Sequence, residues 1–299
     1  MLNQARQFSA IAIISMTFSL LLADQVIPVQ VLETEFYTEG VVFDRQGNLY
    51  FSETKPGRIT VLTPTGDRRI WAQVEGANGH KILADGTHIV AAKNAVVQLD
   101  ADGNLLKVVA KQFKGESLVY PNDLTVDPQD GFYFTDSGEA DPQSTNGAVH
   151  YVDGAGNLHQ VASGIAYANG ILLTLDRQRL FVCESNRNRI LVYAVKAPGE
   201  LGEAIVFADL PSQQGEQIAN SPDGICLDAA GNLFVAHYGM RQVQVLNSAG
   251  QLIRRYASGN LTTSNCAFDA NSNLFVSGGI ADEQGQGGIF RLDLGTASR

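Results

Sequence analysis

The chain has 299 residues, 44% hydrophobic and 17% charged, with a formal net charge of −10. That length and apolar content support a sizeable core. The acidic balance disfavours a phosphate-backbone partner, so nucleic acid is excluded as the expected ligand.

The N-terminus is compositionally separate. Arg6 precedes SAIAIISMTFSLLLA, which ends at Ala23 and is followed by the polar Asp24 and Gln25. A basic start, an apolar stretch and a small residue describe a secretory signal. The stretch is too short to span a bilayer comfortably. The expectation is a signal peptide over residues 1–23, a domain over 24–299, and an exported protein, periplasmic or extracellular, without stable membrane insertion. The competing reading keeps the segment as an anchor or a packed helix.

Residues 29–37, VQVLETEFY, read as a strand with no partner of its own. The chain then repeats one unit. FDRQGNLYFSE (43–53) is echoed in VDPQDGFYFTD (126–136), LDAAGNLFVAH (227–237) and FDANSNLFVSG (268–278). Weaker copies are LADGTHIVAAK (83–93) and LTLDRQRLFVCE (173–184). The period, about 40–50 residues, is that of propeller blades. Each unit opens on a short apolar strand, turns through Asp, Gly and Asn, and returns on β-branched and aromatic residues. A third strand follows, as in RITVLTP, AVVQLDA, AVHYVDG, RILVYAV, QVQVLNS and GIFRLDL, and a fainter fourth, as in RRIWAQV. These units predict an all-β, six-bladed propeller of four-stranded antiparallel blades. The last unit ends at FRLDL, so 29–37 is expected to close the ring by joining it. A two-sheet sandwich is the alternative fold. The cysteines Cys183, Cys226 and Cys266 are odd in number and lie in apolar runs, which predicts buried thiols; a Cys226–Cys266 disulfide stays open.

Stepping back five residues from the turn-opening positions Asp44, Asp85, Asp127, Thr174, Asp228 and Asp269 reaches Glu39, His80, Asn122, Asn169, Asp223 and Ser264. None is apolar. Each stands at the start of a blade's innermost strand, so the six are expected to converge on the axis at one rim. Two carboxylates and two amides suit a hard cation, and Ca2+ above all; zinc would want more His or Cys. Glu39, Asn122, Asn169 and Asp223 are the expected metal ligands. Ca2+ is the expected cofactor, with Mg2+, Zn2+ or Mn2+ as other divalent candidates. The second strands return to the same rim at Glu53, Lys93, Asp136, Glu184, His237 and Ser277. His80, Asn122, His237 and Tyr238 are candidate substrate contacts. The DxxGN turns belong to the opposite rim and read as structural.

The segments TEGVVFD, PNDLTVD, ANGILLT and SPDGICLD, in that order, resemble the senescence-marker-protein/gluconolactonase family of regucalcin-like lactonases. The resemblance implies a six-bladed propeller with a central divalent cation. By its pattern Glu39, Asn169 and Asp223 match metal ligands, Asn122 a metal or substrate ligand, and Asp123 the acidic residue that follows it. The segments GHKILAD and GTHIVAAKNAVV lack the arginine expected near a sugar substrate. The reaction expected is hydrolysis of a lactone, an aldonolactone such as gluconolactone among the candidates. A cation would accept the carbonyl oxygen, and Asp223 or Asp123 would act as general base for water. The rival readings are a non-catalytic calcium-binding or ligand-binding propeller, and a metal-independent enzyme resembling strictosidine synthase.

Overall fold

In a computed structural model, residues 26–128, 131–215, 219–281 and 285–295 are described. The expected signal peptide lies outside them. The described chain is nearly all strand; its one helical segment is a 3-10 turn at Ser185–Arg187. Among the described residues no helix is long and apolar enough to cross a membrane.

Six antiparallel sheets, the blades, follow one another along the chain, with a two-stranded hairpin of Gln112–Phe113 and Glu116–Ser117 between the second and third. Blade 1 contains Thr38–Phe43, Leu49–Glu53, Arg58–Leu62 and Arg68–Gln73. Blade 2 contains His80–Ile82, His88–Ala92, Ala95–Leu99 and Leu105–Ala110. Blade 3 contains Pro121–Asp127, Gly131–Asp136, Gly147–Val152 and Leu158–Ile165. Blade 4 contains Ala168–Leu173, Arg179–Glu184, Arg189–Ala197 and Ile205–Asp209. Blade 5 contains Ser221–Leu227, Leu233–Tyr238, Gln242–Leu246 and Leu252–Ala257. Blade 6 takes Thr262–Phe268, Leu274–Gly279 and Gly287–Leu292 from the C-terminal end. Its fourth strand is Val29–Thr34, which pairs with Gly287–Leu292 as the unpartnered N-terminal strand predicts. Tying the two chain ends into one sheet closes the ring and removes an exposed edge.

The turns work as their composition requires. The Asp44 carboxylate accepts hydrogen bonds from the Gln46 and Asn48 amides at 2.9 and 2.8 Å. Asp100, Asp153, Asp228 and Asp269 each hold the asparagine four residues on in the same way. The carboxylate satisfies amides that the tight turn leaves unpaired.

The apolar core lies between blades rather than along an axis. Tyr50, Ile59 and Trp71 of blade 1 pack on Val90, Val97 and Leu99 of blade 2. Hydroxyls stitch adjacent blades together: Ser52 Oγ donates to the Asn78 carbonyl at 2.6 Å, Thr135 Oγ1 to that of Asn169 at 2.7 Å, and Ser264 Oγ to that of Thr38 at 2.8 Å. The cysteines are free thiols, and Cys226 Sγ lies 3.2 Å from Cys266 Sγ across the blade 5–blade 6 junction.

Four buried histidines make the fold sensitive to acid. Burial pushes His88, His150 and His237 down to about 4 and His80 well below its ordinary range. They are neutral in the fold, and the unfolded chain binds their protons first. Their contribution is therefore intact above about pH 6.5 and lost as pH falls towards 4, each withdrawing up to about 1.4 kcal/mol per pH unit. The expected result is a melting temperature that drops steadily between pH 6.5 and 4 and recovers on neutralisation. A flat profile in calorimetry over that window would contradict it.

Candidate functional site

Five of the six innermost strands lose their regular pairing near the rim; that of blade 2, His80–Ile82, pairs without a skip. The ladder skips between Glu39 and Val42, Pro121 and Leu124, Ala168 and Ile171, Pro222 and Ile225, and Thr263 and Cys266. A bulge of this kind re-aims a side chain, and bulges gather beside active sites. In these five blades it frees a polar residue from the alternation of the sheet. Glu39, Asn122, Asn169 and Asp223 consequently line one cavity of about 540 Å3, together with Tyr37, Tyr120, Tyr167, Tyr238, Lys55 and Asn78.

Asn78 is the residue that sequence spacing missed. In blade 2 the turn opens at Leu83, not Asp85. The Leu83 amide donates to the Thr87 carbonyl at 2.8 Å and its carbonyl accepts from Gly86 at 3.0 Å. Asp44 makes the same pair of bonds with Asn48 and Gly47. Five residues back from Leu83 is Asn78, and the place assigned to His80 belongs to it. The signal was present: Ala77-Asn78-Gly79 repeats Ala168-Asn169-Gly170. The glycine matters because the strands nearly touch. A Cβ on Gly79 would lie 2.5 Å from the Asn122 carbonyl oxygen, and one on Gly170 would lie 2.1 Å from that of Asp223.

The two cavity carboxylates come from opposite halves of the chain. Glu39 Oε1 accepts from the Tyr37 hydroxyl at 3.1 Å and Oε2 from the Gly40 amide at 3.2 Å. Burial pushes the Tyr37 phenol well above its ordinary value, and the charges of Glu39 and Asp223 push it further. Tyr37 therefore stays protonated and remains a donor. Asn122 Nδ2 donates to Ser137 Oγ at 3.0 Å, which fixes the orientation of the amide. Asn78 Nδ2 lies 3.4 Å from the Tyr120 hydroxyl. Asn169 Oδ1 is buried without a hydrogen-bond partner.

Other expected site residues sit elsewhere. His80 is fully buried, stacked on Trp71 at 5.8 Å, with Nε2 2.8 Å from His88 Nδ1. It packs between blades 1 and 2 and is no part of the cavity wall. Ser264 is also fully buried, spent on Thr38 and Ser277. His237 is fully buried and its Nε2 lies 2.8 Å from Asn188 Oδ1 of blade 4, so its imidazole is spent on the neighbouring blade rather than on the cavity. Asp123 is 1% exposed and off the cavity wall. Its Oδ1 takes the Leu124 amide and lies 3.6 Å from Lys81 Nζ. Tyr238 does line the cavity. The second-strand carboxylates Glu53, Asp136 and Glu184 bind Arg58, the Val119 and Tyr120 amides, and Arg189 with the Ala166 amide, respectively.

Glu39, Asn78, Asn122, Asn169 and Asp223 make a donor set of two carboxylates and three amides. Among the described residues no three His, Cys, Asp or Glu side chains form a metal-holding group. This set has only two of those types, and its remaining donors are amides. Hard oxygens with two negative charges fit a divalent cation of the Ca2+ or Mg2+ kind. The unpartnered, buried Asn169 Oδ1 is what such a cation needs and what an apolar ligand would leave unsatisfied.

A family profile described as the SMP-30/Gluconolactonase/LRE-like region matches residues 37–279. A lactonase drp35 of Staphylococcus saprophyticus is 31% identical over 229 residues, 72% of this chain and 68% of that protein. A gluconolactonase of Zymomonas mobilis is 27% identical over 282 residues, 84% of this chain and 78% of that protein. The structure of a Xanthomonas campestris gluconolactonase superposes with a TM-score of 0.75 at 25% identity, over 89% of this chain and 88% of that one. A calcium-binding regucalcin of Agrobacterium tumefaciens shares the fold at 21% identity and a TM-score of 0.76, over 90% and 94% of the two chains.

Proposed function

Since the chain belongs to the SMP-30/gluconolactonase/LRE-like family, we propose that it hydrolyses a lactone with the help of a divalent cation, Ca2+ first among the candidates. One observation carries the reading: Glu39, Asn78, Asn122, Asn169 and Asp223 come from five different blades and share one cavity. These five would hold the ion. When bound, it supplies positive charge for the oxygen of a lactone carbonyl as that oxygen turns anionic.

The chain's own groups divide the remaining work. Asp223 takes the proton of the attacking water. Asp123, the other candidate, is off the cavity wall; its Oδ1 is engaged with the Leu124 amide and Lys81, and its Oδ2 is buried without a hydrogen-bond partner. Glu39 has an oxygen on Tyr37 and the other on the Gly40 amide, so it is held rather than poised for proton transfer. Tyr37 keeps its proton and fixes Glu39. Tyr238 is placed to touch the substrate, as is the Asn122 side chain. Export after removal of residues 1–23 belongs to the same proposal; N-terminal sequencing of protein from the periplasm or medium checks it.

A panel of lactones, including gluconolactone and simple alkyl lactones, tests the activity by acid release. Turnover is expected with Ca2+, lost on chelation, and restored when the ion is returned. Acid release that ignores the chelator would overturn the cation's part, and no release from any lactone would overturn the hydrolase.

A further inference from the structure

Three blades place a tyrosine two residues before the cavity residue: Tyr37 before Glu39, Tyr120 before Asn122, Tyr167 before Asn169. All three line the cavity. The Tyr120 and Tyr167 rings are neighbours, with centroids 6.5 Å apart and planes 31° apart. Among the described lining residues Lys55 is the one cation.

Two carboxylates outside the cavity hold this pair in matching ways. Asp136 ends the second strand of blade 3; its Oδ1 accepts from the Tyr120 amide at 2.6 Å and its Oδ2 from the Val119 amide at 3.0 Å. The next residue, Ser137, donates its amide to the Tyr120 carbonyl at 2.9 Å. Glu184 ends the second strand of blade 4, and its Oε1 accepts from the Ala166 amide at 2.9 Å. Ser185, next to it, donates its amide to the Tyr167 carbonyl at 3.1 Å. Tyr167 is held at φ 62°, a left-handed conformation that a bulky residue rarely adopts and that persists only where its surroundings enforce it. Both carboxylates are buried, at 7% and 1% exposure. Similar devices thus stand in adjacent blades: Asp136 holds the Tyr120 amide directly, and Glu184, itself paired with Arg187 and Arg189, holds the residue before Tyr167.

We propose that Tyr120 and Tyr167 form an aromatic wall that grips the non-reacting, apolar face of the substrate, and that Asp136 and Glu184 are positioning residues acting through them. The proposal rests on the lactonase reading for the nature of the substrate. Aromatic faces bind C–H-rich surfaces and, being negative, disfavour anionic ones, so the favoured lactone carries no negative charge and presents an apolar ring face or chain. Asparagine at 136 has one acceptor oxygen for two amides, and the loop carrying Tyr120 loses its anchor.

The test is a pair of double-mutant cycles on Ca2+-loaded protein. Two probes carry the same hexyl tail: a δ-lactone for kinetics, and a δ-lactam, inert to hydrolysis, for calorimetric binding. Asp136→Asn is expected to raise KM and weaken lactam binding about tenfold, with kcat within about twofold. In a Tyr120→Ala background it should do no further harm, because its path to the substrate is gone. Glu184→Gln should behave likewise with Tyr167→Ala. Asp136→Glu, which restores the charge, should recover part of the loss. Additive cycles, or a fall in kcat and Ca2+ affinity with KM unmoved, would overturn the wall. If the carboxylate variants do not fold, Tyr120→Leu and Tyr167→Leu decide it: unchanged KM and lactam Kd overturn it, and a several-fold rise in KM and in lactam Kd supports it. Wild-type protein that binds the lactam yet opens no lactone sinks the hydrolase and leaves the wall standing. Protein that opens the lactone with additive cycles does the reverse, and protein that does neither overturns both.

Discussion

Asp223→Asn is expected to lower kcat for lactone opening by about 10²–10⁴-fold, the usual contribution of a general base. The amide matches the carboxylate in shape, so packing in the bulge after Pro222 is preserved. What is removed is a negative charge and a proton acceptor. Asp223 is 7% exposed on the cavity wall, where a carboxylate interacts more strongly than in water. The variant should also bind Ca2+ more weakly, which confounds a measurement at one ion concentration. Kinetics must therefore be followed up to saturating Ca2+, with bound metal counted in the same samples. The deficit in kcat is expected to survive saturation. Full recovery at high Ca2+ would limit Asp223 to holding the ion.

Gly170→Ala should damage fold and site together. The added methyl would lie 2.1 Å from the Asp223 carbonyl oxygen and 2.9 Å from the Gly224 Cα. Both are backbone atoms of the next blade and have no rotamer to escape into. Blades 4 and 5 must move apart, a strain of about 1–3 kcal/mol for overpacking of this kind. That movement separates Asn169 from Asp223, so Ca2+ affinity is expected to fall about tenfold or more. Gly202→Ala is the control, since its methyl would meet Ala194 at an ordinary 3.5 Å; it should stay within about 0.5 kcal/mol of the parent. Denaturant unfolding and calorimetry on both variants check this. Equal stability and equal Ca2+ affinity in the two would mean that the close approach of the blades has no consequence.

The period of the fold was legible because several blades repeat a local solution, a hairpin whose aspartate, Asp44, Asp228 or Asp269, satisfies the turn amides. Ring closure was legible from a strand at 29–37 with nothing to pair with. The cavity residues of blades 1, 3, 4 and 5 followed from counting back from that turn. Blade 2 broke the count because its turn opens on Leu83, whose side chain can make none of the bonds Asp44 makes. The Asp85 carboxylate binds Thr87 instead, two residues out of step. Counting from it landed on His80, a histidine spent on the Trp71 and His88 cluster. Ser264 shows a different gap: a hydroxyl at the right count was consumed by the seam between blades 6 and 1. The roles of Asp136, Glu184 and His237 depend on contacts between loops remote in sequence, which no spacing along one blade reveals. The recurring tyrosines in YTE, YPN and YAN could have been found by aligning the units one step further back.

The central claim is that oxygen donors from five blades hold one divalent ion, and calorimetric titration of metal-stripped protein with Ca2+ tests it most directly. One ion per chain is expected for the wild type, with affinity reduced by Asn78→Ala and binding abolished by combined Glu39→Gln and Asp223→Asn in protein that still melts cooperatively. Binding that persists in the folded double variant, or a wild type that gives no heat with Ca2+ or Mg2+, would contradict it.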